Sequence, residues 1–435
     1  MKRKLLLGSL VLLSVFSTDS LAGEFPLRGG KSKRKSKPNL LREIPYQMED
    51  STKADSVYSP QEFKPSIQVG SIVHMMASYS QVGYPGSSPS TNGKPEDWVR
   101  GAMLYRARIM VGGQLSRKGS FFLETELPKP VGSTPGGKNE QSGLIMLDCQ
   151  YEHKFSEAFQ VISGAQLVSG NRNGLQGAAS LMANDFTFYQ YAYNTFAFNP
   201  VGQPLRSNFG RDVGVNTRGL LLKGKLEYRL GVFLGRGLNG NDPLRTVGRL
   251  VYNFLDADKN FYYSGTNLGK GKTISLGLGV DGQANYINVG PDLFIDLPVG
   301  PGSITLNTAF QYVSGGTDTV SKFSYTRLIP NSTIQFGELG YYINSLKIQP
   351  WIRYENFTSA AVTEQTSGVP TALFDKTHSS TVFGGGLNYF FNGYGTNLRL
   401  SYVTKTATTP SATVPFETET KAYGQAWLQL QFFFF

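Results

Sequence analysis

From Ser66 onward, apolar and polar residues alternate in runs of roughly ten, separated by Gly, Asn, Asp, Ser and Pro. In the last run Leu428, Leu430, Phe432 and Phe434 share one side while Gln429 and Gln431 share the other. Strand side chains point alternately to opposite faces, so such a strand suits lipid on one side and water on the other. About sixteen runs are counted, at 66–79, 102–115, 119–128, 144–154, 158–168, 212–219, 225–234, 246–255, 272–284, 289–297, 302–313, 332–342, 345–357, 380–391, 396–405 and 421–434. The pattern predicts an all-β fold: a transmembrane antiparallel β-barrel of about 16 strands.

The joints between runs are of two kinds. Asn392-Gly393-Tyr394-Gly395, Gly300-Pro301-Gly302 and Lys223-Gly224 are short turns, whereas other connections are long and polar. The short joints are expected at the periplasmic end and the long ones outside the cell, with both termini on the periplasmic side. The longest gap, Val168 to Arg211, is expected to fold into the lumen and narrow it, with Phe186, Tyr189 and Tyr191 packing it to the wall; an external loop over the mouth is the alternative. The apolar face of the last run keeps step with Phe434 and not with the terminal Phe435, so either one residue trails the strand or a bulge corrects the register.

Residues 1–22 read as a secretory leader. Lys2, Arg3 and Lys4 precede an apolar stretch, Leu5 to Phe16, and Ser20-Leu21-Ala22 offers a cleavage point after Ala22. The apolar stretch is too short to span a bilayer as a helix, and no longer one follows. Residues 23–62, with Lys31, Lys33, Arg34, Lys35 and Lys37 followed by scattered prolines, read as a flexible basic periplasmic segment, and 63–435 as the barrel. The expected location is the outer membrane.

Composition agrees: 13% of residues are aromatic, Gly is abundant at 50, and the charged fraction is 17%. The net charge is +11, and removing Lys2, Arg3, Lys4 and Asp19 with the leader takes it to +9. An exported chain this basic either meets polyanions or passes anions. Cys149 is the single cysteine, so no intrachain disulfide forms. It lies in an alternating run with Leu147 and Tyr151 and reads as a small buried or lipid-facing residue.

With the apolar side of each run turned to lipid, the opposite residues face the lumen. That rule turns Tyr105, Ala107 and Ile109 outward and Arg106 and Arg108 inward, and it turns Arg218, Arg229, Arg249, Lys347, Arg353 and Arg399 inward as well. Guanidinium groups match oxyanion geometry, and a row of them offers successive weak sites from which an ion can leave. The inward acids Asp212, Glu227, Asp281 and Glu355 argue for salt bridges that brace the wall, as at Glu227 beside Arg229 and Glu355 beside Arg353. Arg106 and Arg108 have no acid within their own strand and are the strongest candidates for ion contact.

Apparent enzyme motifs fail. Gly277 to Gly282 matches G-x-G-x-x-G but lies inside an alternating run with no helix after it. Gly271-Lys272-Thr273 lacks the first glycine of a phosphate loop. His74, His153 and His378 have no metal spacing, so no cofactor and no metal are expected. Asn331-Ser-Thr333 and Asn356-Phe-Thr358 fit a glycosylation pattern that carries little weight in a bacterial-type barrel.

Several stretches resemble the phosphate-selective porin O/P family of outer-membrane channels. They are Tyr105-Arg106-Ala107-Arg108-Ile109; Leu147 to Phe159 with Gly164 and Gln166; Arg211-Asp212-Val213-Gly214-Val215 through Gly231-Val232-Phe233; Gly248-Arg249-Leu250-Val251; Gly384 to Tyr389; and the Leu-Gln-Leu-Gln-Phe ending. Their order along residues 66–435 carries the resemblance more than any one motif does. The resemblance implies a homotrimeric, water-filled channel embedded in outer-membrane lipid, whose third long loop folds inward and whose basic lumen draws small anions, phosphate in some members. The expected function is passive diffusion of small anionic solutes, with no nucleic-acid partner. A weakly selective porin is the alternative within that class. Outside it stand an outer-membrane enzyme, which needs a Ser, His and acid converging on the wall, and an adhesin or receptor, which a lumen-filling plug would favour.

Overall fold

The computed structural model describes residues 63–81, 97–127, 131–134, 137–139, 144–168, 170–184, 211–235, 243–283, 286–314, 332–359, 378–410 and 418–435. The leader (1–22), the basic segment (23–62) and Phe186, Tyr189 and Tyr191 lie outside the described residues.

The first strands are β1 (Ser66–Gln81), β2 (Trp98–Gln114), β3 (Gly119–Glu126), the short β4 (Val131–Thr134) and β5 (Gly137–Asn139), β6 (Ile145–Ser156), β7 (Phe159–Leu167), β8 (Arg211–Leu221) and β9 (Leu226–Phe233). After these come β10 (Arg245–Asn253), β11 (Thr273–Gln283), β12 (Tyr286–Val299), β13 (Gly302–Ser314), β14 (Ser332–Ile343), β15 (Ile348–Ser359), β16 (His378–Asn392), β17 (Thr396–Pro410) and β18 (Thr418–Phe434). The β4–β5 hairpin hangs on β2, and the other strands pair antiparallel in sequence order. β18 then pairs β1, from Ser71 opposite Phe434 to Ser80 opposite Gln425, which closes a 16-strand barrel. Closure leaves no edge, so every strand amide can pair without water, which a lipid-embedded sheet requires.

The alternation sorts the faces as expected. Val213, Val215, Leu230, Leu250, Leu278, Ile352, Leu400 and Phe434 are exposed on the outside, whereas the residues between them are buried and mostly polar. Among the described residues no helix is long and apolar enough to cross a membrane; the crossing is made by strands. β18 pairs both neighbours without a register shift, and Phe435 follows the strand and packs inward with Phe433, so a trailing residue and not a bulge explains the C-terminal register. Two β1–β2 neighbours do slip, between His74 and Met75, which leaves Tyr105 as the extra residue of a bulge. Its ring meets buried Trp427 edge-on at 5.7 Å, so the outward position expected for it does not hold.

The joint lengths depart from the expected alternation at one place. The start of β1, the end of β18 and the short turns at 222–225, 300–301, 344–347 and 393–395 share one end of the barrel, but the long β10–β11 connection, residues 254–272, belongs to that end too. The return from β11 to β12 at the opposite end spans only residues 284–285.

Two connections fill space beside the inner wall. Residues 170–184 carry two 3-10 turns, Asn173–Leu175 and Ala178–Ser180, and residues 254–272 run beside them. Their backbones pair directly: Tyr263 N–H donates to the Leu175 carbonyl at 2.9 Å, Gly177 N–H to Tyr263 at 3.0 Å, and Gly265 N–H to Ser180 at 2.9 Å. Leu175, Ala179, Phe261, Tyr262 and Tyr263 form one buried cluster with Ile72, Met110, Phe122, Ile162 and Leu167 of the wall. Burying each ring contributes about 2–3 kcal/mol, enough to hold both segments against the barrel.

Candidate channel lining

Ion pairs across neighbouring strands dominate the inner wall. Glu126 of β3 accepts from Arg106 Nε at 2.8 Å and from Arg108 Nε at 2.6 Å, while Arg108 Nη1 donates to Glu124 at 3.0 Å. Arg211, the first residue of β8, extends the chain by donating to both Glu124 and Asp148 at 2.8 Å. Adjacent strands lie about 4.8 Å apart, so inward side chains at paired positions meet across the ladder and not along a strand. Arg106 and Arg108, which have no acid on β2, therefore sit against the acids of β3.

The same logic places the next pairs. Glu227 accepts from Arg218 and Arg229 at 2.7 Å each, and its other oxygen accepts the Tyr263 hydroxyl at 2.9 Å. Arg249 reaches across β11 to Asp292 of β12 with two bonds, at 2.5 and 2.9 Å, and donates to the Gly170 carbonyl at 3.0 Å. Arg353 is paired chiefly to Glu338 of β14, with Glu355 farther off at 3.5 Å, so the expected Arg353–Glu355 brace is the lesser contact. Glu227 braces as expected, but through Arg218 as well as Arg229.

Arg399 differs in kind. It donates to Asn397 at 2.9 Å and Gln431 at 3.3 Å, and to the carbonyls of Ala183 at 3.0 Å and Ala179 at 3.3 Å, which ties β17 to residues 170–184. Lys347 does not line the wall. It is exposed in the Asn344–Lys347 turn with φ of 55°, and β15 begins only at Ile348. The run expected at 345–357 reaches three residues into a turn whose left-handed residue breaks the period.

Sequence reasoning missed Arg172, Arg211 and Arg245. Arg211 and Arg245 open their strands, where a period of two has no earlier residue to anchor it. Arg245 pairs Asp281 at 2.9 and 2.5 Å and Asp212 at 3.2 Å. Arg172 lies in a connection; its guanidinium stacks on Phe294 at 3.7 Å and Tyr263 at 4.6 Å and bonds Asp258 at 3.0 Å and the Ser264 carbonyl at 2.9 Å. The partner acids Glu124, Glu126 and Asp292 are legible, since each falls on the inward parity of its own run, whereas Glu338 shares its face with the buried apolar Ile334 and Phe336 and is not.

Cys149 is exposed on the outer face beside Tyr151, while a register shift at Glu124 and Thr125 buries Leu147 and Asp148 together. Gly277 to Gly282 lie within β11, and Lys272 donates its N–H to Asp256. His74 is buried against Gln431 at 2.9 Å, His153 sits among Tyr151 and Phe155, and no group of three metal-ligating residues occurs among the described residues.

No family model and no curated protein matches this sequence. Solved structures do. The outer membrane channel DcaP of Acinetobacter baumannii superposes with a TM-score of 0.50 at 12% identity, over 85% of this chain and 97% of that one. OmpT of Vibrio cholerae (TM-score 0.48, 9% identity, 86% and 99% covered) and an anion-selective porin from Comamonas acidovorans (0.48, 12%, 85% and 100%) are looser. The chain thus has the fold of a transmembrane outer-membrane-type barrel, and at such identities the likeness concerns fold alone.

Proposed function

We propose that this protein is an outer-membrane porin, exported by a leader cleaved after Ala22, that passes small hydrophilic solutes by passive diffusion and carries out no catalysis. The observation that carries this reading is the pairing of an apolar outer face with a polar, heavily charged inner face on one closed barrel. Residues 170–184 act as the inward constriction, because their carbonyls at Gly170, Ala179, Met182, Ala183 and Asn184 accept bonds from inward side chains of β10, β15, β16, β17 and β18. Kinship with the phosphate-selective porin O/P family, and a homotrimeric state, rest on the ordered sequence motifs.

Selectivity follows from charge balance. Six of the eight expected bases are bonded to carboxylates within the wall, so most of the row is compensated. That supports a weakly selective channel. A preference for anions such as phosphate has one support left, the +9 charge of the chain after its leader. Reversal potentials under a salt gradient separate the two: values near zero fit weak selectivity, and a strong anion potential fits the sharper reading.

A receptor barrel is the second reading. It is favoured by the apolar cluster that Leu175, Phe261 and Tyr263 build against the inner wall, since such packing occupies space that a wide pore would leave to water. Absence of any ion current from correctly folded protein would select it.

A further inference from the structure

We infer that residues 254–272 form a second constriction, set across the short-turn mouth of the barrel and independent in origin from the long-loop segment 170–184. The inference rests on the porin reading above. Adjacent antiparallel strands are ordinarily joined by a few residues, and every other connection at this end obeys that rule. The ends of the surplus chain extend the β10–β11 ladder, Phe254 N–H donating to Ile274 and Asp256 N–H to Lys272, while its middle, residues 259–267, is bonded to the inner wall.

Its course can be followed from its anchors. Near its start, Arg218 donates to the carbonyls of Lys259 at 2.8 Å and Asn260 at 3.0 Å, and the Lys259 side chain lies beside Gly224 in the β8–β9 turn. In the middle Arg229 donates to Phe261 at 2.9 Å, and Tyr263 donates to Glu227. Farther on, Asn267 N–H donates to Asp296 at 2.8 Å, Gln349 of β15 donates to Thr266 at 3.1 Å, and the Tyr394 hydroxyl in the β16–β17 turn donates to the Thr266 carbonyl. The β8–β9 and β16–β17 turns stand on opposite sides of a ring of 16 strands, so the segment spans the mouth from side to side.

A buried loop ordinarily costs unsatisfied carbonyls. Here the wall supplies a donor to each carbonyl named above, three of them from guanidinium groups otherwise spent on Glu227. The three-way joint of Glu227, Arg218 and Arg229 is thus a socket for this segment as well as a brace. Because Tyr263 also pairs with Leu175 and Gly177, a solute passing residues 170–184 next meets a crossbar fixed to it.

Single-channel recording of the whole protein in planar bilayers tests this. Replacing residues 257–271 with Asn-Gly should raise conductance at least about twofold, as expected when a narrow section in series is removed. Should that variant fail to fold, a Cys149→Ser/Ser264→Cys chain decides: an anionic thiosulfonate added from the short-turn side should cut the current by a similar factor. Unchanged conductance in the shortened variant, or unchanged current after verified modification at position 264, overturns the inference. Absence of current from the parent chain would instead overturn the porin reading.

Discussion

Arg108 and Glu126 face each other from adjacent strands, with Nε donating to Oε2 at 2.6 Å, and Arg106 shares the same carboxylate. The two arginines with the strongest claim to ion contact in the sequence are thereby joined to an acid one strand away. Both arginines and the acid are buried, so removing the carboxylate takes away a charge that the two guanidinium groups share in a poorly solvated place. Replacing Glu126 with Gln is expected to lower stability by about 3–5 kcal/mol, the usual cost of breaking a buried ion pair. Urea unfolding of the refolded barrel in detergent reads this directly, and an unchanged midpoint would show that water already solvates both guanidinium groups.

Most of the barrel was legible because a strand in lipid must alternate, and turn residues must interrupt it. β13, for example, was expected at 302–313 and runs Gly302–Ser314. Lys347 was misplaced since alternation is blind to a left-handed turn residue. The partner of Arg106 is not legible within β2 for a different reason: pairing in a sheet runs across strands, and Glu124 and Glu126 lie on the inward parity of β3. The mouth-crossing segment was not legible at all. Chain order supplies the length of a connection, but only the three-dimensional positions of Arg218, Arg229 and Tyr394 reveal where that length goes.

Gly279 faces Gly170 so closely that a β-carbon there would collide with the Gly170 carbonyl. Gly279→Ala is expected to push residues 170–184 off the wall at a cost of about 1–3 kcal/mol. Conductance and protease sensitivity near Gly170 should both rise while heat-resistant migration on gels persists. Native-like values in both would mean that the segment accommodates the methyl group without moving.

Cys149 points away from the lumen on β6. In intact membranes it should react with a membrane-permeant maleimide and not with a charged, water-soluble one. Rapid labelling by the charged reagent would place this side of β6 in water and contradict the assigned faces.

Burial pushes the phenols of Tyr263 and Tyr394 up, so both stay protonated donors in the folded barrel after their unfolded counterparts titrate near about 10. Their contribution to stability is therefore complete below pH of about 10 and is lost as pH rises further. The urea midpoint should be flat from neutral pH to that point and then fall, and Tyr394→Phe should lower the plateau while softening the fall. A decline beginning well below that range would show that these donors are not the groups responsible.

The most direct measurement is the current carried by the purified full-length chain in a planar bilayer, recorded first in symmetrical KCl and then across a KCl gradient. Stepwise, salt-proportional conductance with a reversal potential close to zero is the predicted result: an open, constricted pore whose wall charges are mostly compensated. Folded, inserted protein that carries no current in any salt would contradict the account and leave a closed barrel in its place.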